Sequence, residues 1–266
     1  MNRTVLRWSD WSLKGLRNEY VTGAPVRIFV MGRNEWRDEQ ESPLARARDT
    51  RFSLGATKGA NGVAGDGTLV KTAPAREPPD RYDYDPVNPV PTVGGRLCCG
   101  NDIPPGPFDQ RPIESRTDVL VFSTPPPGRN LEVTGFIRLE LRAATSVVDT
   151  HFTVILADVA PDGCAAFLTD GIVRGRYRTS TRKPELLKPG EIYRSDVDLW
   201  ATSNVFKTGH RIRLYVSSSN LPRFNGNLNT GEPNARATRA VVARQAFYHD
   251  ANHPSALVLP IVEPTR

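Results

Sequence analysis

Along the second half of the chain, apolar and polar residues alternate with the two-residue period of a strand that has one face buried. In FIRLELRAAT, Ile137, Leu139 and Leu141 fall on one face and Arg138, Glu140 and Arg142 on the other. DVLVFST, HFTVILADVAPDG, GIVRGRYR, YRSDVDLWAT, HRIRLYVSSSN and ALVLPIVE carry the same signal. Turn sequences such as Pro161-Asp162-Gly163 and Lys188-Pro189-Gly190-Glu191 stand between them. Seven or more strands with no helix among them predict a mainly β fold, an antiparallel β-sandwich of jelly-roll type.

The first fifty residues read differently. Val5, Trp8 and Trp11 are spaced as one face of a short helix over residues 4–14, and Gly15 is placed to end it. PVRIFVMG then alternates like a strand that stops at Gly32. Helix followed by strand is an α/β pattern, yet nothing in the preceding residues supplies neighbouring strands, and a lone strand cannot bury its apolar face. The unit is expected to be an α/β remnant whose strand is an unpaired or differently paired edge. Between residues 53 and 118 the chain is rich in Gly and Pro and poor in periodicity. That stretch is too long for an ordinary connection, so it is expected to pack over another surface.

Composition supports short strands and many turns, with 21 glycines and 23 prolines. The net charge of +6 is spread out, with no basic block, so nucleic acid is not an expected partner. Arg174, Arg176 and Arg178 in IVRGRYR have period two and are expected to form a solvated outer strand face. Three cysteines, of which Cys98 and Cys99 are adjacent, do not suit a disulfide framework and point to a reducing, cytoplasmic setting. The N-terminus lacks the apolar core of a signal peptide, and no run is long enough for a membrane helix.

No complete catalytic site can be assembled from these residues. The G-x-S-x-G elbow is missing, and Ser217, Ser218 and Ser219 are expected to bond backbone groups at a strand end. His249 and His253 are four apart, but Asn252 and Pro254 oppose a helix, so a surface turn is expected there and no metal site. Asp80, Asp83 and Asp85 lack calcium-loop spacing and are read as solvated or turn-capping carboxylates. Cys98 and Cys99 have no recognisable His or Asn setting and are expected to be buried in a loop. No catalytic residue, metal ligand or cofactor is assigned.

Several blocks, in order along nearly the whole chain, resemble the C-terminal half of the X-Pro dipeptidyl-peptidase and cocaine esterase family, the CocE/NonD hydrolases. They are PVRIFVMGRNEWRDE (25–39), YDYDPVNPVPTVGG (82–95), GPFDQRPIESRTDVLVFST (106–124), LEVTG (131–135) and TDGIVRGRYR (169–178). LWATSNVFKTGHRIRLYVSSSN (199–220), NLNTG (227–231) and HPSALVLPIV (253–262) complete the series. Ser9 and Ser42 depart from it, standing where family members usually carry an aromatic residue or Trp.

The resemblance implies a serine hydrolase built from an α/β-hydrolase domain, a helical cap and a C-terminal jelly roll of galactose-binding-like type, acting on esters or acyl-proline bonds. Residues 1–50 then correspond to the last helix and strand of the hydrolase domain, and 51–266 to the jelly roll with its loop-rich lead-in over 53–118. The family's Ser, Asp and His fall before Met1 and cannot be carried over. GGRLCCG (94–100) resembles the loop that reaches the substrate pocket, which makes Leu97, Cys98 and Cys99 the expected pocket-wall residues. The expected partner is an α/β-hydrolase catalytic domain, in a separate chain or in missing sequence, and a homodimer is left open. A stand-alone sandwich that binds carbohydrate or protein is the competing expectation.

Overall fold

The computed structural model describes residues 3–96, 103–233 and 236–263. Arg3–Lys14 forms helix α1 and Glu19–Thr22 a single turn, α2. α1 ends where the sequence predicts. Gly15 takes φ 69, and the amides of Gly15 and Leu16 return to the carbonyls of Trp11 and Asp10 at 3.0 and 3.1 Å, a left-handed ending that glycine adopts without strain. No residue of α1 is buried.

Val26–Val30 (β1) finds its partner in the next five-residue strand, Glu35–Glu39 (β2), so the expected lone strand is one arm of an antiparallel hairpin. EWRDE has no apolar alternation, which is why periodicity misses it. The hairpin is fixed to the body by main-chain bonds, Met31 N–H to Ser203 O at 3.0 Å and Val205 N–H to Met31 O at 2.9 Å. At Gly32 the approach is so close that a Cβ would lie 2.4 Å from the Val205 carbonyl oxygen, so only glycine fits.

Charge completes the attachment. Arg37 donates from Nη1 and Nη2 to the two carboxylate oxygens of Glu132 at 2.9 and 2.6 Å, and from Nε to Glu39 at 2.6 Å. Thr134 Oγ1 donates to Glu132, and Arg46 grips Glu39 from the other side. Burial pushes the Glu132 carboxyl up, but the Arg37 and Thr134 hydrogen bonds overcome it and hold the group below the usual carboxylate range.

Eleven strands form the body, in a single ladder that folds over itself. They are β3 (Ala47–Gly55), β4 (Thr68–Val70), β5 (Asp80–Tyr84), β6 (Leu120–Ser123), β7 (Leu131–Thr145), β8 (His151–Val159), β9 (Ala165–Arg174), β10 (Tyr193–Phe206), β11 (Arg211–Ser217), β12 (Ala243–Tyr248) and β13 (Ala256–Val262). One layer holds β5, β12, β7, β13 and β3, with β10 along the second edge of β7. The other holds β6, β11, β8 and β9. Short β4 joins them, antiparallel to β3 and touching β6 in parallel at Thr68 and Ser123. All remaining pairings are antiparallel, as the sandwich expectation requires.

The core lies between the layers, where Phe152 meets Phe247 edge-on at 5.5 Å and Tyr82 stacks on Phe247 at 5.3 Å. A second cluster lies on the outer side of the β6, β11, β8, β9 layer. There Val90 and Ile113, from the loop-rich stretch, cover Val121, Ile155, Phe167 and Tyr215. This is the surface over which the aperiodic segment packs, and it explains why β8 is buried along both faces. At the cluster's edge Glu114 accepts from Arg213 and from the Tyr215 hydroxyl, each at 2.6 Å. Among the described residues no helix is long and apolar enough to cross a membrane.

Three charged motifs sit elsewhere than expected. β9 ends at Arg174 and Gly175–Tyr177 turns in a 3-10 helix, so the three arginines do not share a strand face. Arg176 pairs with buried Asp149, and Arg178 bonds the Gly175 and Glu185 carbonyls beneath the Tyr193 ring. Asp80 is buried rather than solvated, accepting from the Ala60 amide, while Asp85 caps a turn through the Val87 amide as predicted. His249 is buried too, not on a surface turn.

Two stability predictions follow from these contacts. Arg37→Ala leaves Glu132 buried without its partner and is expected to cost about 3 kcal/mol in urea denaturation. Arg194→Ala, which removes an exposed pair with Asp196, is expected to stay within about 0.5 kcal/mol. Equal effects would show that the buried pair does not hold the hairpin.

The second concerns His151, whose pKa is lowered from 6.5 to about 4, first by burial and then by Arg174. The unfolded chain takes up this proton at the higher pH, so the stability from the neutral ring is complete above pH 6.5 and is lost as the pH falls to about 4. His151→Asn is expected to flatten that part of the stability profile by on the order of 3 kcal/mol. An unchanged profile would refute the assignment.

Candidate functional site

A serine hydrolase needs a nucleophile, an imidazole within hydrogen-bond reach of it and a carboxylate behind the imidazole. Four histidines are present in the chain. His210 comes nearest, with Nδ1 2.8 Å from Asp158 Oδ1 and Asp158 Oδ2 held by Asn204, which is a base with its orienting acid. Among the described residues, no Ser, Thr or Cys side chain bonds its ring. His249 lies between two carboxylates, Nε2 being 3.1 Å from Asp80 Oδ2 and Nδ1 3.0 Å from Glu77 Oε2. The second contact does not meet hydrogen-bond geometry. The two acids meet opposite ring edges, so one cation cannot take all three groups. Among the described residues no group of His, Cys, Asp or Glu is arranged to hold a metal.

The serine cluster behaves as expected of strand-end hydroxyls. Ser217 bonds the Ser219 carbonyl, Ser219 accepts from the Val90 amide, and Ser218 joins Tyr82 and Gln245. Burial raises the Cys164 thiol's pKa, with Asp109 and Asp162 adding to the effect, so the group is not an activated thiolate.

The predicted pocket-wall residues Leu97, Cys98 and Cys99 lie outside the described residues. What is described is the base from which that loop departs and to which it returns. Gly95 and Gly106 exchange both backbone hydrogen bonds, at 2.8 and 3.0 Å. Beneath them, Gln110, fully buried, donates to the carbonyls of Val93 and Phe108. Arg96, the last described residue before the loop, donates from Nε and Nη2 to Asp170 Oδ1 at 3.1 and 2.7 Å. Arg223 Nε donates to Asp170 Oδ2 at 3.0 Å and its guanidinium lies 5.0 Å from the Phe224 ring centre. One buried carboxylate therefore fixes two guanidiniums at the neck of the loop.

A second feature is apolar. Val5, Leu6, Trp8, Trp11, Leu13 and Leu16 are all exposed, as are Phe29 and Trp36, which meet edge-on at 5.4 Å on the hairpin. Trp36 is 62% exposed, a large amount for a residue with a neighbouring ring to pack on. Exposed apolar surface of this kind is uncommon on a free-standing domain.

Asp170 could have been singled out from sequence as an acid within an apolar strand, LTDGIV, since a buried charge requires a partner. Nothing local indicates that the partners are Arg96 and Arg223, or that His249 meets Glu77 and Asp80.

The family model for the X-Pro dipeptidyl-peptidase C-terminal non-catalytic domain matches residues 18–258. The chain is 46% identical to cocaine esterase of Rhodococcus sp. over 257 residues, covering 96% of this chain and 44% of that protein. Among solved structures, an aminopeptidase from a marine sediment Thaumarchaeota archaeon superposes with TM-score 0.83 at 28% identity, covering 98% of this chain and 44% of its own. An α-amino acid ester hydrolase superposes with TM-score 0.77 at 28% identity, covering 89% and 41%. The fold and the match together define a non-catalytic β-sandwich domain of serine hydrolases. The chain belongs to the X-Pro dipeptidyl-peptidase C-terminal domain family, within the CocE/NonD hydrolases, and spans less than half the length of the relatives it matches.

The neck supplies a test. Asp170→Asn leaves two guanidiniums facing a neutral amide and is expected to raise tryptic cleavage after Arg96 roughly tenfold, with the sandwich still folded by circular dichroism. Unchanged cleavage would show that Asp170 does not hold the loop.

Proposed function

We propose that this chain packs against an α/β-hydrolase catalytic domain and completes the wall of its substrate pocket, leaving the chemistry to that domain. The observation that carries this reading is the set of exposed apolar residues on α1 and on the hairpin, the hairpin being held to the sandwich by the Arg37–Glu132 pair and the main-chain bonds to β10. A face so apolar on an element so firmly placed is suited to permanent burial. In this reading residues 1–50 complete the hydrolase domain and 51–266 form the jelly roll, with β3 crossing the junction. The loop cinched at Gly95 and Gly106 carries Leu97, Cys98 and Cys99 to the pocket as determinants of its shape. Esters or X-Pro peptides are the proposed substrate class, by similarity to the relatives named above, and the cytoplasm the proposed compartment. Of the competing reading, a stand-alone module for carbohydrate or protein, the carbohydrate form gives the exposed apolar residues of α1 and the hairpin no role.

The isolated chain is expected to show no hydrolysis of p-nitrophenyl acetate above background. Mixing it with a catalytic domain of the family, expressed without its own C-terminal domain, is expected to give a complex and to raise turnover, and Trp8→Glu with Trp11→Glu to abolish both. Turnover by the isolated chain that a serine-directed inhibitor removes would overturn the proposal.

A further inference from the structure

We propose that the open end of the sandwich binds a small amphiphile bearing a carboxylate, its apolar body on Phe52, Leu69, Ile212 and Ile261 and its charge between Lys71 and Arg129. The site is a cleft of about 530 Å³ at the point where the two layers part. It exists because β4 is only three residues long. β4 pairs with β3 over Ser53–Gly55 alone, so beyond Val70 no described residue fills the space between Thr50 to Phe52 of β3 and Ile212 of β11. Protein interiors leave few voids larger than a water molecule, whereas ligand clefts run to roughly 300–1,000 Å³. The opening falls within the size range of a ligand cleft.

Its chemistry selects the ligand. Phe52, Leu69, Ile212 and Ile261 are buried side chains of the core that end at the cleft, so its floor is apolar. The charged groups lining the cleft are Lys71, Arg129 and Glu263. Lys71 is exposed and makes no ion pair among the described residues. Arg129 Nη2 lies 3.0 Å from Glu263 Oε2, but the two side chains are 70% and 57% exposed, and such a surface pair is weak enough for a ligand carboxylate to replace. Two cations against one acid favour an anion. A sugar would need a flat exposed aromatic and several free polar groups. The only aromatic ring in the lining is Phe52, and the Thr124 hydroxyl is already engaged by the Ile212 amide. The site is independent of the hydrolase partnership, since none of its groups belongs to α1 or the hairpin.

Isothermal titration of the full chain with octanoate, octan-1-ol and acetate, each kept below self-association, tests the assignment. Octanoate is expected to bind saturably, octan-1-ol roughly tenfold more weakly for want of the charge-assisted contacts, and acetate not detectably. Lys71→Ala combined with Arg129→Ala is expected to bring octanoate down to the level of octan-1-ol, and charge reversal by Lys71→Glu to act in the same direction. Thr50→Trp, which places a ring in the cleft from an accessible position, is expected to block both ligands. Absence of saturable octanoate binding, or octanoate binding that neither the charge variants nor Thr50→Trp alters, would overturn the proposal.

Discussion

The docking of the β1–β2 hairpin on the sandwich depends on one buried carboxylate. Glu132 stands at the start of the longest strand, shielded from water, and would be costly there without a cation. Arg37 supplies that cation through two parallel hydrogen bonds, and in doing so docks the hairpin on the sandwich. The main-chain bonds of Met31 to β10 fix the register, and Gly32 lets the two backbones approach. A segment that could have hung loosely is thereby presented in one orientation, with its aromatic residues outward. The attachment is electrostatic and directional on its inner side and apolar on its outer side, which is the division of labour expected of an element lying between two domains.

The sandwich has a comparable division. Its inner core is continuous and apolar, and the outer side of one layer is covered by the loop-rich stretch through Val90 and Ile113. The same stretch carries the neck at Gly95 and Gly106, so the loop bearing Leu97, Cys98 and Cys99 departs from a base packed on a sheet. Asp170 then ties that base to β9 and, through Arg223, to the segment after β11. Under the proposed function, a base packed on a sheet and tied by Asp170 is the rigid support that a non-catalytic domain can offer such a loop.

Much of the fold was legible in the sequence because the physics that forms it is local. Alternation over FIRLELRAAT and RIRLYV gives β7 and β11, and the glycines of PDG and KPGE give the turns between strands. Where a strand is buried on both faces, as in β8, or polar throughout, as in EWRDE, the period carries less information. The arginines of IVRGRYR mislead for a related reason: period two says nothing about where a strand stops, and here it stops at Arg174. The contacts of the candidate site were the least legible. Arg37 with Glu132, Arg96 with Asp170 and His249 with Asp80 join residues far apart along the chain, and no single-sequence pattern encodes such pairs. The family resemblance, resting on blocks spread along the whole chain, named the fold and the domain family where local patterns could name only strands.

Hydrogen–deuterium exchange on this chain, free and in complex with a catalytic domain of the family, tests the central claim most directly. The account predicts new protection concentrated in α1, the β1–β2 hairpin and the loop between Gly95 and Gly106, with the strands of the sandwich core unchanged. Protection confined to other faces, or none on complex formation, would contradict it.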